Sequence, residues 1–253
     1  MKTFWFDGES AAAHGLIISG SGTFDAAERD VEMVSVPGRS GDLIVDNGRY
    51  KNIPISYPAS IYTDFAANAE KARAWLGSKT GYCRLEDDYD PDHFRLARFQ
   101  GPLRFTPGFL NRTAECTINF DCKPQRFLKS GEAPFLTGRG KTIINPTRFP
   151  AKPLLAVTCT AAVAEINFWN SGNQIAKFTI NTAARSSSMT LYLDSETGEI
   201  YELSSTGSKI SRPEMGTIPY QAPSLFQGKT SVVLSVESGT VETIYITPRW
   251  WTL

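Results

Sequence analysis

Histidine is nearly absent, with His14 and His93 the only two in 253 residues. Four cysteines, Cys83, Cys116, Cys122 and Cys159, include no CxxC pair, so the usual zinc ligand sets cannot be assembled. An excess of one charge is missing as well. Twenty-six Lys and Arg balance twenty-six Asp and Glu, which removes the electrostatic footprint of a protein that grips nucleic acid or anionic lipid. Long apolar runs are lacking too. The opening MKTFWFDGES sets Asp7 and Glu9 where a signal peptide needs its apolar core, and no stretch approaches the roughly 20 residues of a membrane span. These absences predict no stable nucleic-acid binding, no membrane anchor and no bound metal or cofactor. They also predict a protein made in a cytoplasm and exported only inside a larger assembly. What is present is ordinary globular composition, 41% hydrophobic and 21% charged, in a chain long enough for about two domains.

Cys116 and Cys122 fall on one face of an alternating strand, six residues and so about 20 Å apart, where a disulfide needs less than about 7 Å. The cysteines are expected as small buried apolar side chains in a reducing compartment.

Most of the chain reads as short β-branched or aromatic runs broken by Gly, Pro, Asn and Asp, the pattern of a mainly β protein with two sandwich-like domains. Strands are expected at Gly15 to Ser19, Val31 to Val36, Ile53 to Tyr57, Gly81 to Leu85, Phe94 to Phe99 and Thr113 to Asp121. The last of these should end at Lys123-Pro124. A single helix is expected over 64–76. Phe65, Ala69, Ala72 and Leu76 recur at helical spacing, Thr63 or Asp64 can cap the start, and Gly77 stands at the C′ position. The predicted organisation is a first domain over 1–128, a linker over 129–141 and a second β domain over 142–253. Seven runs make up the second domain (LLAVTCT, EINFW, KFTI, MTLYLD, EIYEL, SVVLSV and VETIYIT), with turns at Asn170 to Asn173, Asp194 to Gly198 and Glu237 to Gly239.

Catalytic patterns are weak. Arg139-Gly140-Lys141-Thr142 mimics the tail of a phosphate-binding loop, but Phe135 replaces its first glycine and a strand-like TIIN follows. Gly38-Arg39-Ser40-Gly41 falls one residue short of a nucleophile elbow and reads as a turn. Asp88, Asp90 and Asp92 have calcium-loop spacing, yet His93 and Phe99 occupy the positions that need Gly and Glu; an acidic hairpin turn at Asp90-Pro91 is expected instead. No carboxylate pair stands out for glycoside hydrolysis, so no catalytic residue is assigned and no enzymatic activity is expected. At the C-terminus, Trp250 and Trp251 point to opposite sides of an extended strand. One should enter a core, and the other should find a second surface on an adjoining domain or subunit.

The run Val36-Pro37-Gly38-Arg39-Ser40-Gly41-Asp42-Leu43, followed by Asn47-Gly48-Arg49-Tyr50-Lys51-Asn52-Ile53, by the helix ending near Trp75-Leu76 and by Tyr82-Cys83-Arg84-Leu85 with the Asp90-Pro91 turn, resembles the N-terminal domain of distal tail (Dit) proteins of long-tailed siphophages. The ending Ile244-Tyr245-Ile246-Thr247-Pro248-Arg249-Trp250-Trp251 resembles the terminus of the same family. The resemblance implies an N-terminal β-sandwich with one helix and a galectin-like C-terminal β-sandwich. Six copies would close through the first domain into a ring at the distal end of the tail, around a central channel. Its implied partners are the tail tube protein, the tail-tip hub protein, the tape measure protein in the lumen, and receptor-binding or side-fibre proteins. Pro37, Gly38, Arg39, Ser40 and Gly41, with Asn47, Gly48, Arg49, Tyr50 and Lys51, are the candidate ring-interface residues, because this composition suits a contact surface better than a core. Trp250 and Trp251 are candidates for ring contact or domain docking. The competing reading is a carbohydrate-binding tail adhesin domain for host surface glycans, with Trp169, Trp250 and Trp251 as stacking platforms. A tail-associated glycan hydrolase is a further alternative, with no carboxylate pair to nominate.

Overall fold

The computed structural model describes residues 2–137, 141–218 and 223–253; the side chain of Phe109 is outside the description. Arg139 and Gly140 of the phosphate-loop mimic, and residues 138–140 of the expected linker, lie outside the described residues. The protein is mainly β, and it divides into two units, Met1–Arg126 with Leu253, and Phe127–Thr252.

In the first unit the sheet runs Glu9–Ser10, Phe4–Phe6, Cys83–Asp87, His93–Phe99, Ala114–Leu128, Ile53–Ile61 and Ile17–Ile18, with Phe105–Pro107 also on the long strand. Alternation sets the register. Cys116, Ile118, Phe120 and Cys122 point inward, opposite Ala59, Tyr57, Ile55 and Ile53 of the antiparallel neighbour. The strand does not end at Lys123-Pro124 but continues to Leu128. Proline needs only to escape donating to the ladder, and the pairing with Ile53–Ile61 has already stopped at Cys122.

Helix Phe65–Ser78 buries Ala69, Ala72, Trp75 and Leu76. Trp75 stacks on Phe4 at 5.8 Å and on His14 at 4.3 Å, while Phe4 stacks on Tyr57 at 4.6 Å. The ends differ from expectation. Asp64 takes a left-handed conformation (φ 48°) and its side chain makes no capping bond; Asn68 Nδ2 instead donates to Thr63 O at 2.9 Å. Gly77 lies inside the last turn, which closes with Ser78 Oγ donating to Trp75 O at 2.9 Å.

The second unit is organised by two long antiparallel strands, Leu154–Asn170 and Gly228–Thr247. Each joins two runs that the sequence reads as separate strands. Both bend at the same place, where Ala161 (φ 47°) faces Gly239 (φ 71°). A Cβ on Gly239 would sit 2.1 Å from Ala161 O, so the close crossing requires glycine. Glu237 to Gly239, expected as a turn, is therefore a bend within one strand. Leu155, Val157 and Cys159 before the bend share one core with Ile166 and Phe168 after it. Outside these two strands lie Phe135–Thr137 and Lys141–Asn145 on one side, and Asn173–Asn181, Met189–Asp194, Ile200–Leu203 and Lys209–Ser211 on the other. Within the expected linker, residues 129–131 form a 3-10 turn, and Phe135–Thr137 joins this sheet.

All four cysteines are free thiols. Burial pushes the Cys116 thiol up to about 11 and the Cys122 thiol up to about 12.

Candidate assembly surface

Residues 29–50 form a two-stranded antiparallel arm, Arg29–Val34 with Leu43–Tyr50, which joins the sheet of no other strand among the described residues. Its tip begins with a type II turn. Pro37 and Gly38 (φ 82°) occupy the central positions, and Arg39 N–H donates to Val36 O at 3.1 Å. Pro37, Gly38, Arg39, Ser40 and Gly41 are all exposed there. Nearer the base, Arg29 pairs with Tyr50 and Val31 with Asp46, so Asn47, Gly48 and Arg49 bulge opposite Asp30. Gly48 N–H donates to Asp46 Oδ1 at 2.8 Å across this bulge.

Three ion pairs lie on the arm and at its base. Arg29 bonds Asp46 at 2.6 Å, Arg49 bonds Asp30 at 2.7 Å, and Lys51 Nζ lies 3.6 Å from Glu28. The Arg49 guanidinium holds the Asp30 carboxyl below the usual carboxylate range; Arg29 and the Gly48 N–H do the same for Asp46. Arg29 also donates to Tyr50 OH at 3.2 Å and lies over that ring.

Apolar residues are left uncovered on both faces of this ribbon. Met33 and Ile44 form a cross-strand pair and are 56% and 61% exposed, while Val45, opposite Glu32, and Leu43, opposite Val34, are exposed on the other parity. A lone two-stranded ribbon is marginally stable, and exposed aliphatics on both its faces mark a surface that has something to cover. The sequence reading singled out the glycines and cations of the arm. It passed over Met33, Leu43, Ile44 and Val45, whose signal was apolar residues on both parities of a strand flanked by turns.

Trp250 and Trp251 belong to the other unit. Trp250 is 3% exposed in its core, beneath Gly131. Arg249, at φ 57°, turns the chain and binds Asp194 bidentately at 2.7 and 2.9 Å. Trp251 stacks on Phe149 at 4.5 Å and donates to Pro150 O at 3.0 Å. The two indoles thus both contact their own unit, and the opposite-sides argument does not by itself require a second body.

The acidic turn is spoken for internally. Asp87 accepts from Tyr57 OH at 2.6 Å and from Ser21 Oγ at 3.1 Å, and Asp88 accepts from Thr3 N–H at 2.9 Å. Asp90 bonds His93 at 2.8 Å and Arg126 at 2.5 Å. Burial works against the Asp90 charge, but these two partners hold its carboxyl below the usual range. Among the described residues no group of three His, Cys, Asp or Glu side chains could hold a metal ion, and no helix is long and apolar enough to cross a membrane.

No protein-family model and no curated protein sequence matches the chain. Solved structures do. The Dit protein of phage SPP1, a hub adsorption apparatus among phages infecting Gram-positive hosts, matches over 100% of both chains with a TM-score of 0.74 at 12% identity. The chain has the Dit fold. The same fold relates it to the baseplate of phage P2 in its activated conformation. With calcium the match has a TM-score of 0.57 at 9% identity over 97% of each chain; with strontium it is 0.55 at 10% identity over 97% of this chain and 98% of the other.

Proposed function

We propose that this protein is a structural component of a phage tail tip, in which six copies close into a ring joining the tail tube to the tip proteins around a channel. The observation that carries the reading is the arm, a ribbon with aliphatic side chains bare on both faces in a chain with the Dit fold. A neighbouring copy is the covering surface the ring provides, because a head-to-tail contact that closes repeats the same burial at every interface. The role needs no catalysis and no cofactor. Tube, tip-hub and tape measure proteins are the partners along the axis, and receptor-binding or side-fibre proteins the partners outside it. The second unit is read as the outer, galectin-like sandwich.

Light scattering on the purified protein tests this. A particle of about six times the 27.9 kDa chain mass, surviving a hundredfold dilution, is expected. Charge placed on the arm by Met33→Glu with Ile44→Glu should return it to monomer without changing the far-UV circular dichroism. Arg39→Ala and Tyr50→Ala should weaken the ring, and intact rings from both would count against the arm as its interface. A wild-type monomer, alone and with tube and tip-hub proteins present, would overturn the reading.

A further inference from the structure

The outer face of the second unit carries a row of four residues in register across four strands. Thr142 pairs with Ser231, Ser231 with Trp169, and Trp169 with Gln174. Three strand spacings make this row about 14 Å long, the reach of a short oligosaccharide. Trp169 is 37% exposed at its centre, whereas its chain neighbour Phe168 is fully buried.

A local irregularity builds the row. Phe168 pairs with Ala176 but Trp169 pairs with Gln174, so Ile175 is an extra residue on the second strand. Without that bulge, alternation from Lys177 would turn Gln174 inward; with it, Gln174 faces solvent beside the indole. Bulges of this kind are found where a side chain is re-aimed at a site. The two strands are joined by the tight turn Asn170 to Asn173, with Ser171 at φ 49° and Gly172 at φ 84°, which pins the register of the row.

The surroundings are rich in hydrogen-bonding groups and nearly neutral. Asn167 Oδ1 accepts from Gln174 Nε2 at 2.7 Å, and Thr142 Oγ1 lies 3.5 Å from Ser231 Oγ. Glu165 and Lys177 neutralise each other at 2.7 Å beside the row, and Lys229 lies opposite Ile144 at its edge. A charged partner finds little to complement here.

We infer that the row Thr142, Ser231, Trp169 and Gln174 binds an uncharged saccharide. Its C–H face lies on the Trp169 indole, and its hydroxyls bond the amides and hydroxyls of Gln174, Asn167, Ser231 and Thr142. The match is chemical. A pyranose has one apolar face and a polar rim, and a ring with an apolar body amid satisfied but solvent-facing polar groups offers the complement. This function goes beyond the ring and does not depend on it, because every residue named lies in the second unit.

The test is affinity electrophoresis of the full chain in gels containing soluble neutral polysaccharides (a glucan, a mannan and a galactan), with a polyuronate as the charged comparison. Retardation by at least one neutral polymer is expected. Trp169→Ala should weaken it at least about tenfold, equivalent to about 1.4 kcal/mol. Trp251→Ala, on a ring engaged elsewhere, should leave it unchanged. Melting curves establish that each variant is folded; if Trp169→Ala is not, Gln174→Ala with Asn167→Ala must show the loss. No retardation by any neutral polymer, retardation by the polyuronate alone, or full retention in folded variants would overturn the site. Light scattering on the same samples reports ring assembly separately, so failure of one reading is distinguishable from failure of the other.

Discussion

Gly131, Gly239 and Trp250 show how little room single positions leave. A Cβ at Gly131 would come within 2.4 Å of Trp250 N, so Gly131→Ala must shift the C-terminal segment that fills the second core. Trp250→Ala removes a large buried ring and should cost about 3–5 kcal/mol by denaturant melting. Trp251→Ala, which loses one stacked ring and one hydrogen bond at a partly exposed site, should cost about 1–2 kcal/mol. Equal costs would contradict the placement of the two indoles. Asp194 adds a pH signature. Burial opposes its charge, yet Arg249 and the Glu196 N–H hold its folded carboxyl below the ordinary range. The unfolded state therefore binds the proton more readily. The ion pair's contribution is complete above the unfolded carboxylate range and disappears as pH falls through the folded value. Asp194→Asn should lower Tm at neutral pH, and the gap to wild type should close on acidification. The need for a small residue at Gly239 was not legible in the sequence, because the Ala161 carbonyl that excludes a side chain lies 78 positions away.

At the scale of elements, the arm and the bent strands mark where sequence reading succeeds and where it stops. Local periodicity located the helix stripe Ala69, Ala72 and Leu76, and the inward face Cys116, Ile118, Phe120 and Cys122, because each is decided by neighbours within the element. It divided Leu154–Asn170 and Gly228–Thr247 into four strands, since Gly239 in a polar stretch has the composition of a turn whether the chain reverses or merely bends. In the arm it gave only the Val31 to Val36 run as a strand, and that both faces stay bare depends on there being no third strand beside it among the described residues. The expected consequence is measurable by amide hydrogen exchange. Amides of residues 29–50 should exchange among the fastest in the monomeric Met33→Glu, Ile44→Glu variant and become protected in the assembled wild type. Equal exchange in both would mean the arm is not what assembly covers.

For the molecule as a whole, balanced charge and internal pairing on the arm set the kind of force available for assembly. Arg29 and Arg49 each have a carboxylate partner within the arm and Lys51 has Glu28 beside its base, so these three cations keep little Coulombic attraction to be screened. Aliphatic burial is the term left, and it carries a negative heat-capacity change. The assembled mass should therefore stay constant from low to high salt, and calorimetric dilution at several temperatures should give a heat of assembly that becomes more exothermic on warming. A particle that falls apart in salt would place the contact on some other, charged surface.

The depth of the thiols has a consequence for durability. With Cys116 and Cys122 titrating near 11 and 12, less than about one in a hundred of either is thiolate at pH 8, and the thiolate is the species that peroxide and disulfides attack. The folded chain is expected to need no reductant at these two positions. Oxidation to sulfenic acid at these two positions should therefore be slow in aerated water, and thiol titration of the stored folded protein checks it.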